Sequence, residues 1–492
     1  MKINSSLLRL LFILSCEDRD RTAALSLRRP PDGPAPAAMH LPSKIQEIRE
    51  NLQRQNIRYF LPAFVDIHGV PKGKLVPLSH VERSLRGGEL FSGHALDGLG
   101  SHPEDGEVAV APDWERGFPV PWKPELAWIP SHLTFADAPF PACTRAALKR
   151  SLEKAEDQGF RLRLGIECEF YLLQREASGR LLFPSPRETL PKGSYDAGRL
   201  LERANIIDQI LEALEGLGWE VSSVQHEDGR SQFEFVFSHC EALEMADRLV
   251  FFRCLASRIA SEQGLAAVFM AKPFADQPGN AAHFHLSLAD SRTGANLFLA
   301  EPGEDPRGLG LSGLGYSFLA GLLRHGRSLC AAFAPTVNSY KRLIKKGAMQ
   351  FYSWAPVFNS LGGNNRTHAF RIPLGGGQCE VRIPDSSCNP YLTSALVLEA
   401  GLEGVQQNLD SGAPERKSIY SWPERQKNWL PHEDLLPRSL GEALAEFASD
   451  PLVEKALGRS LREEFLRCKF AEWDEYNREV TNWEVMRYAT LF

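Results

Sequence analysis

Four short segments share an alternation that few folds can accommodate. In Ile166-Glu167-Cys168-Glu169-Phe170-Tyr171-Leu172 both glutamates fall on one face of a strand, with Ile166, Cys168 and Phe170 on the other. In Gln232-Phe233-Glu234-Phe235-Val236-Phe237, Glu234 opposes three phenylalanines. His283-Phe284-His285-Leu286-Ser287-Leu288 puts both histidines and Ser287 together, and Cys379-Glu380-Val381-Arg382-Ile383-Pro384 does so for Glu380 and Arg382. A strand has period two, so each segment presents one apolar and one polar face. A sheet half in water would carry a mixture of Lys, Thr, Ser and Gln on its polar face. Here that face carries glutamates and histidines, backed by residues that must pack against helices. Carboxylates gathered on one surface repel unless cations neutralise them. With few histidines and no thiolates on that face, the pattern points to magnesium or manganese rather than zinc or copper.

A cationic group follows. Asn338-Ser339-Tyr340-Lys341-Arg342, Asn364-Asn365-Arg366-Thr367-His368-Ala369-Phe370-Arg371 and Arg382 place four arginines close in sequence to the acidic strands. Arg366 and Arg371 sit by Gly362, Gly363, Asn364 and Asn365, a loop composition suited to approaching a ligand. Arginine forks match carboxylate and phosphate oxygens. Magnesium with arginines implies phosphoryl transfer or ATP-driven activation of a carboxylate. No G-x-x-x-x-G-K-[ST] or kinase signature is present, so another fold must hold the nucleotide.

Composition narrows the class. With 43% hydrophobic and 24% charged residues, the chain is neither largely disordered nor fibrous. A net charge of -6 gives no basic field for nucleic acid. No run of about 18 apolar residues occurs, which argues against a membrane-spanning helix. Nine cysteines, an odd number without a C-x-x-C pair, predict reduced, mostly buried thiols and a cytoplasmic protein.

At roughly 150 residues per domain, the 492 residues suggest two to three domains. Residues 1–40 read as a tail: Arg9 interrupts a short apolar run, and Glu17-Asp18-Arg19-Asp20-Arg21 is no signal-peptide cleavage site. Met39 stands immediately before the first helical pattern and is the expected true start. That helix spans Pro42 to about Asn56, with Ser43 as N-cap. Tyr59 to Asp66 reads as a strand turning at His68-Gly69 and returning through Lys74-Leu75-Val76-Pro77. Residues 41–136 make a small strand-rich domain; 137–492, opening with a helix near Thr144, make an α+β catalytic domain.

The motifs together resemble the glutamine synthetase superfamily over about residues 45–492, most closely its glutamate–amine ligase branch. The resemblance rests on Gly165-Ile166-Glu167-Cys168-Glu169-Phe170, Ala271-Lys272-Pro273-Phe274, the His283–Leu288 strand, Asn338–Arg342, Asn365-Arg366-Thr367, and Glu380-Val381-Arg382 with Asn389-Pro390-Tyr391-Leu392. Branch-like features are His226-Glu227-Asp228, Ser353-Trp354-Ala355-Pro356 and Ala95-Leu96-Asp97-Gly98-Leu99-Gly100. It implies a β-grasp-like N-terminal domain and a catalytic domain with a curved antiparallel sheet flanked by helices. It implies two or more divalent metals, with Glu169, Glu227 and Glu234 holding one near the substrate glutamate and Glu167, His283 and Glu380 holding one that bridges ATP phosphates. Gly279, Arg342 and Arg382 would bind the substrate, with Trp354 beside the amine. Arg366 and Arg371 would stabilise the phosphoryl group, and His285 and Ser287 would lie on the nucleotide side. Asp66 would help bind and deprotonate the amine for a neighbouring subunit, in a ring-shaped homo-oligomer with sites between subunits. The reaction implied joins glutamate to an amine through a γ-glutamyl phosphate, at the expense of ATP.

Departures from the family pattern cluster by the substrates. Trp354 replaces a glutamate that shields the intermediate and helps bind ammonium; a neutral, bulky indole suits an alkyl or aryl amine better than ammonia. The other reading of Trp354 is loop packing, which leaves ammonia as the nucleophile. Gly279-Asn280-Ala281-Ala282, Ser231 and Gln378 also depart from the usual Gly-Ser-Gly, Gly and Arg. Tyr420 falls where some relatives are adenylylated, but Lys417-Ser418-Ile419-Tyr420-Ser421-Trp422 is unlike that loop and reads as ordinary packing. A non-catalytic structural homologue is a third reading, opposed by the presence of all six candidate ligands.

Overall fold

The computed structural model describes residues 41–185, 193–305, 307–344, 354–416 and 435–492. The N-terminal tail with Met39, the loop position Ser353 and Tyr420 lie outside these described residues.

The first helix runs Leu41–Arg54, so Ser43 lies inside its first turn rather than ahead of it as a cap. Ile45 and Leu52, seven residues apart, face inward from it. Tyr59–Val65 then forms a strand that pairs antiparallel with Pro71–Gly73 and Val76–Pro77, and parallel with the long strand Lys123–Phe135. Val108–Pro112 and Leu90–Phe91 complete the path. Between these strands lie one short α-helix, Val81–Gly87, and two single helical turns, Gly93–Ala95 and Trp114–Arg116. The sheet's last strand, Ala138–Pro139, folds back on Thr134 and Phe135.

The second sheet carries the four alternating segments. Its strand order is Val221–His226, Gln232–Glu241, Phe160–Arg175, Ala282–Asp290, Cys379–Val381, Phe370–Arg371, Leu361–Gly362. All neighbouring pairs on this path are antiparallel except the last. Helix Ala242–Glu262 covers the apolar face, where Phe252 meets Phe170, Phe235 and Phe237 with ring centroids 5.9, 5.3 and 5.1 Å away. Behind it, helices Gly313–Phe333 and Pro390–Gln406 approach so closely that a Cβ on Gly321 would lie 2.0 Å from the Ala400 carbonyl oxygen. Glycine is required there for contact, not for backbone freedom.

A buried polar knot ties the first sheet to the helices that cover the second. The Arg145 guanidinium, 1% exposed, reaches Asp247 at 2.8 Å, Asp113 at 3.0 Å and the His132 ring at 2.9 Å, and Tyr391 Oη donates to Asp247 at 2.7 Å. Every charge in the knot has a partner, which is the condition for burying it. Among the described residues no helix is long and apolar enough to cross a membrane, and the cysteines are free thiols, most of them buried.

Candidate active site

Strand register sets the site. Glu234 lies directly opposite Glu169, and Gln225 opposite Glu234. One step along, Glu167 faces His283; further on, His285 faces Glu380, and Glu380 faces Arg371. Directly opposed residues share a face, so this register gathers the acids and imidazoles into one patch. The patch is not solvated: Glu169, Glu234, His283 and Glu380 are 7, 5, 5 and 0% exposed.

Electrostatics divide the patch. Burial and the charge of Glu227 push Glu169 up to about 8. Burial, then Glu167 and Glu227, raises Glu234 well above the usual carboxyl range, and Glu227 is raised by burial with Asp228 adding to it. Glu167 is also buried, yet its contacts with His283 and His285 hold it low. Glu380 is held at about 2, since Arg382 and the histidines outweigh burial. Burial and Arg382 depress His283 to about 4, whereas Glu167 raises His285 despite burial. Three carboxyls that resist ionisation beside two that do not are a surface short of positive charge.

The donor atoms fit divalent cations. Among the described residues, Glu167, Glu234 and His283 bring ligand atoms within 4.8 Å of one another, as do Glu167, His285 and Glu380. Carboxylate oxygens with one imidazole in each group suit a hard cation such as magnesium or manganese. Glu167 is common to both groups, and His285, expected beside the nucleotide, stands within donor reach.

The arginines are anchored. Arg371 and Arg382 both ion-pair with Glu380, and Arg371 also binds the Asn364 side chain. Arg342, 4% exposed, donates to the carbonyls of Ile383 at 2.8 Å and Arg382 at 3.0 Å. Gly279 lets Arg342 pass, since a Cβ there would lie 2.8 Å from the Arg342 side chain. Gln232 Nε2 reaches Glu169 at 3.3 Å and Asn280 at 3.0 Å, and the Ala281 N–H donates to Glu169 at 2.7 Å. Glu169 is thus held by the backbone of Ala281 and by Gln232, which Asn280 in turn orients.

Beside the patch opens a cavity of about 480 Å³. Of the expected site residues, Glu169, Glu227, Glu234, Gly279, His283, Arg342, Trp354, Arg366 and Arg382 line it. Glu167, His285, Glu380 and Arg371 continue the same face beyond it. Ser287 lies further along its strand, opposite Arg163. Asp66 stays out of this cavity: its Oδ1 accepts the N–H groups of His68 and Val70, both at 2.9 Å, and Lys72 lies 3.4 Å from Oδ2. Sequence reasoning gave no role to Gln225, Lys272, Ser194, Tyr195 or Asp228, which also line the cavity. Gln225 shows the clearest signal, a polar residue in register with Glu234 that donates to Glu234 at 2.8 Å and Glu227 at 2.9 Å.

A model of the glutamine synthetase catalytic domain matches residues 141–488. The chain is 39% identical to a glutamate–methylamine ligase of Methyloversatilis universalis over 91% of its length and 99% of that protein. It is 34% identical to a glutamine synthetase of Rhizobium meliloti, over 88% of this chain and 96% of that one. Among solved structures, that of GmaS in complex with ADP superposes with a TM-score of 0.82 at 36% identity, covering 90% of this chain and 99% of that chain.

Proposed function

The chain belongs to the glutamine synthetase family, carbon–nitrogen ligases that use ATP and divalent metal ions, and on that premise we propose that it joins glutamate to a small organic amine, giving a γ-glutamyl amide. The observation that carries the choice of amine is Trp354. Its indole is 48% exposed and lines the cavity, with its ring nitrogen tied down, so an apolar surface faces the nucleophile's approach. An alkyl group gains by covering that surface; ammonia has nothing to cover it with. The relative named for methylamine supports the same reading.

In this proposal Glu167, Glu234, His283, His285 and Glu380 would offer donor atoms to the metal ions, and Glu169 and Glu227, on the wall of the adjoining cavity, would complete the set. Bound divalent cations neutralise charge between the ATP phosphates and the glutamate carboxylate, which otherwise repel. Arg342 and Arg382 take the substrate carboxylates, each pre-oriented by its bond to backbone or Glu380. The glutamate side-chain oxygen attacks the γ-phosphorus of ATP, ADP leaves, and the product is an acyl phosphate. Arg366 and Arg371 meet the charge that moves with the phosphoryl group. The buried patch excludes water, which would hydrolyse the acyl phosphate. Asp66 of a neighbouring subunit would take the proton that converts the arriving ammonium to the neutral amine; the amine then attacks the acyl carbon, phosphate departs with the acyl–oxygen bond, and the surplus proton on nitrogen passes to the departing phosphate. Asp66, tied into its own loop outside this cavity, serves a neighbouring subunit, so a ring-shaped homo-oligomer is part of the proposal.

The test is phosphate release from ATP with glutamate and magnesium across ammonia, methylamine, ethylamine, isopropylamine and aniline, with amide products weighed by mass spectrometry. The reading expects one organic amine to exceed ammonia in kcat/KM. Preference for ammonia would overturn it and return Trp354 to loop packing.

A further inference from the structure

The resemblance places Trp354 where the family carries a glutamate, so a negative charge is missing at that position. The fold restores one from another element. Trp354 Nε1 donates to Asp228 Oδ2 at 3.1 Å, and Ser194 Oγ donates to Asp228 Oδ1 at 2.6 Å. All three side chains line the cavity. Ser194 is itself held in place, because the flanking Gly193 carbonyl and Tyr195 N–H bond to His226 at 3.0 and 2.8 Å. Each Asp228 oxygen takes one of these bonds and keeps acceptor capacity for another donor.

The neighbouring acids are otherwise engaged. Glu227 and Glu234 are bridged by Gln225, and Glu234 belongs to a donor group with Glu167 and His283. Asp228 stands outside both donor groups, beside an indole. A primary alkylamine is an ammonium ion at neutral pH. It brings three N–H donors and a charge that a partly buried cavity accepts best against an anion. Its alkyl group, in contrast, needs an apolar wall. A carboxylate hydrogen-bonded to the polar edge of an indole offers both on one spot, and the indole face attracts a cation as well.

We propose that Asp228 receives the nitrogen nucleophile as its ammonium cation, with Trp354 both positioning that carboxylate and seating a small alkyl substituent. The inference rests on the ligase reading above and names the class of nucleophile as small primary alkylammonium ions. Asp228 is thus a binding residue for the nucleophile, and Ser194 a positioning residue.

The decisive experiment compares charged and uncharged nucleophiles in the intact protein. Hydroxylamine is uncharged at neutral pH and brings no cation for a carboxylate to neutralise. For Asp228→Asn we expect the KM for methylamine to rise about tenfold or more, the scale of a lost charge-assisted hydrogen bond. Turnover with hydroxylamine and the KM for glutamate should stay within about twofold of wild type. An unchanged methylamine KM would overturn the proposal. So would an equal loss with hydroxylamine, the signature of a merely structural carboxylate. Should the Asn variant fail to fold, Asp228→Glu keeps the charge and displaces it by one methylene, and must likewise move the methylamine KM alone. If the wild type prefers ammonia, the organic-amine reading falls, yet the same split between ammonium and hydroxylamine would still uphold Asp228 as the cation's partner.

Discussion

Glu234→Gln separates the cost of the acidic patch from its use. The side chain keeps its size, and the amide can still accept from Gln225, which now donates to Glu234 at 2.8 Å. What goes is one charge. Ligand atoms of Glu234 and Glu167 lie within 4.8 Å, so at an effective dielectric of about 20 the repulsion between their charged forms is about 3.5 kcal/mol or more. Proton uptake by Glu234 already relieves part of this in the metal-free protein, leaving a gain of about 1–3 kcal/mol on substitution. In excess chelator the variant should therefore melt a few degrees above wild type. Magnesium reverses the order. A ligand at a hundred times its Kd stabilises by about 2.7 kcal/mol, and the variant should lose most of that shift together with its ligase activity. The pH dependence carries the same sign. Glu169, Glu227 and Glu234 have raised values, so their contribution is fully present below the ordinary 4.5 and is lost as pH rises through the folded values, about 8 for Glu169. Metal-free wild type should lose stability over that window more steeply than the variant. Differential scanning fluorimetry across pH, with and without magnesium, measures all of it. A variant that melts lower in chelator and keeps the full magnesium shift would refute the idea that this face is built for cations.

Three further outcomes follow from named contacts. Glu380→Ala should abolish activity and cost about 3–5 kcal/mol in urea denaturation, because Arg371 and Arg382 would be left facing each other without their shared carboxylate; wild-type turnover would contradict the ligand role. Trp354→Glu should move the ratio of kcat/KM for ammonia over methylamine upward by about tenfold, and an unchanged ratio would mean that the indole only packs. His325 bridges Asp450 at 2.8 Å and Glu403 at 3.2 Å, and those acids raise its value against burial. Its contribution is present below 6.5 and fades as pH rises through the raised value, so His325→Gln should flatten the loss of thermal stability on that side; an identical pH profile would refute it.

Much of the site was legible because a strand has period two. Glu167 with Glu169 and His283 with His285 had to share faces whatever their neighbours, and burial of their alternate partners fixed which face was inward. Register was not legible. Nothing local says that Glu234 faces Glu169, or that Glu380 lies between two arginines, because strand order depends on long connections. The same limit hid His285, which comes within donor reach of Glu167 and Glu380 only through pairing with the adjacent strand. Asp228 was read as part of a motif without a role, since its partner Trp354 lies 126 residues away. Ser43 misled for a simpler reason: a capping residue two positions inside a helix looks the same in sequence as one at its boundary. The residue types on the polar face argued against a solvated sheet, and that face is indeed buried, which gives carboxyls such as Glu169 a raised value.

The central claim is that this face activates glutamate by phosphorylating its side-chain carboxylate before nitrogen arrives. Glutamate carrying heavy oxygen in that carboxylate tests it directly, by mass analysis of the phosphate released with magnesium, ATP and the preferred amine. The account predicts one heavy oxygen transferred to each phosphate, and phosphate without the label would contradict it.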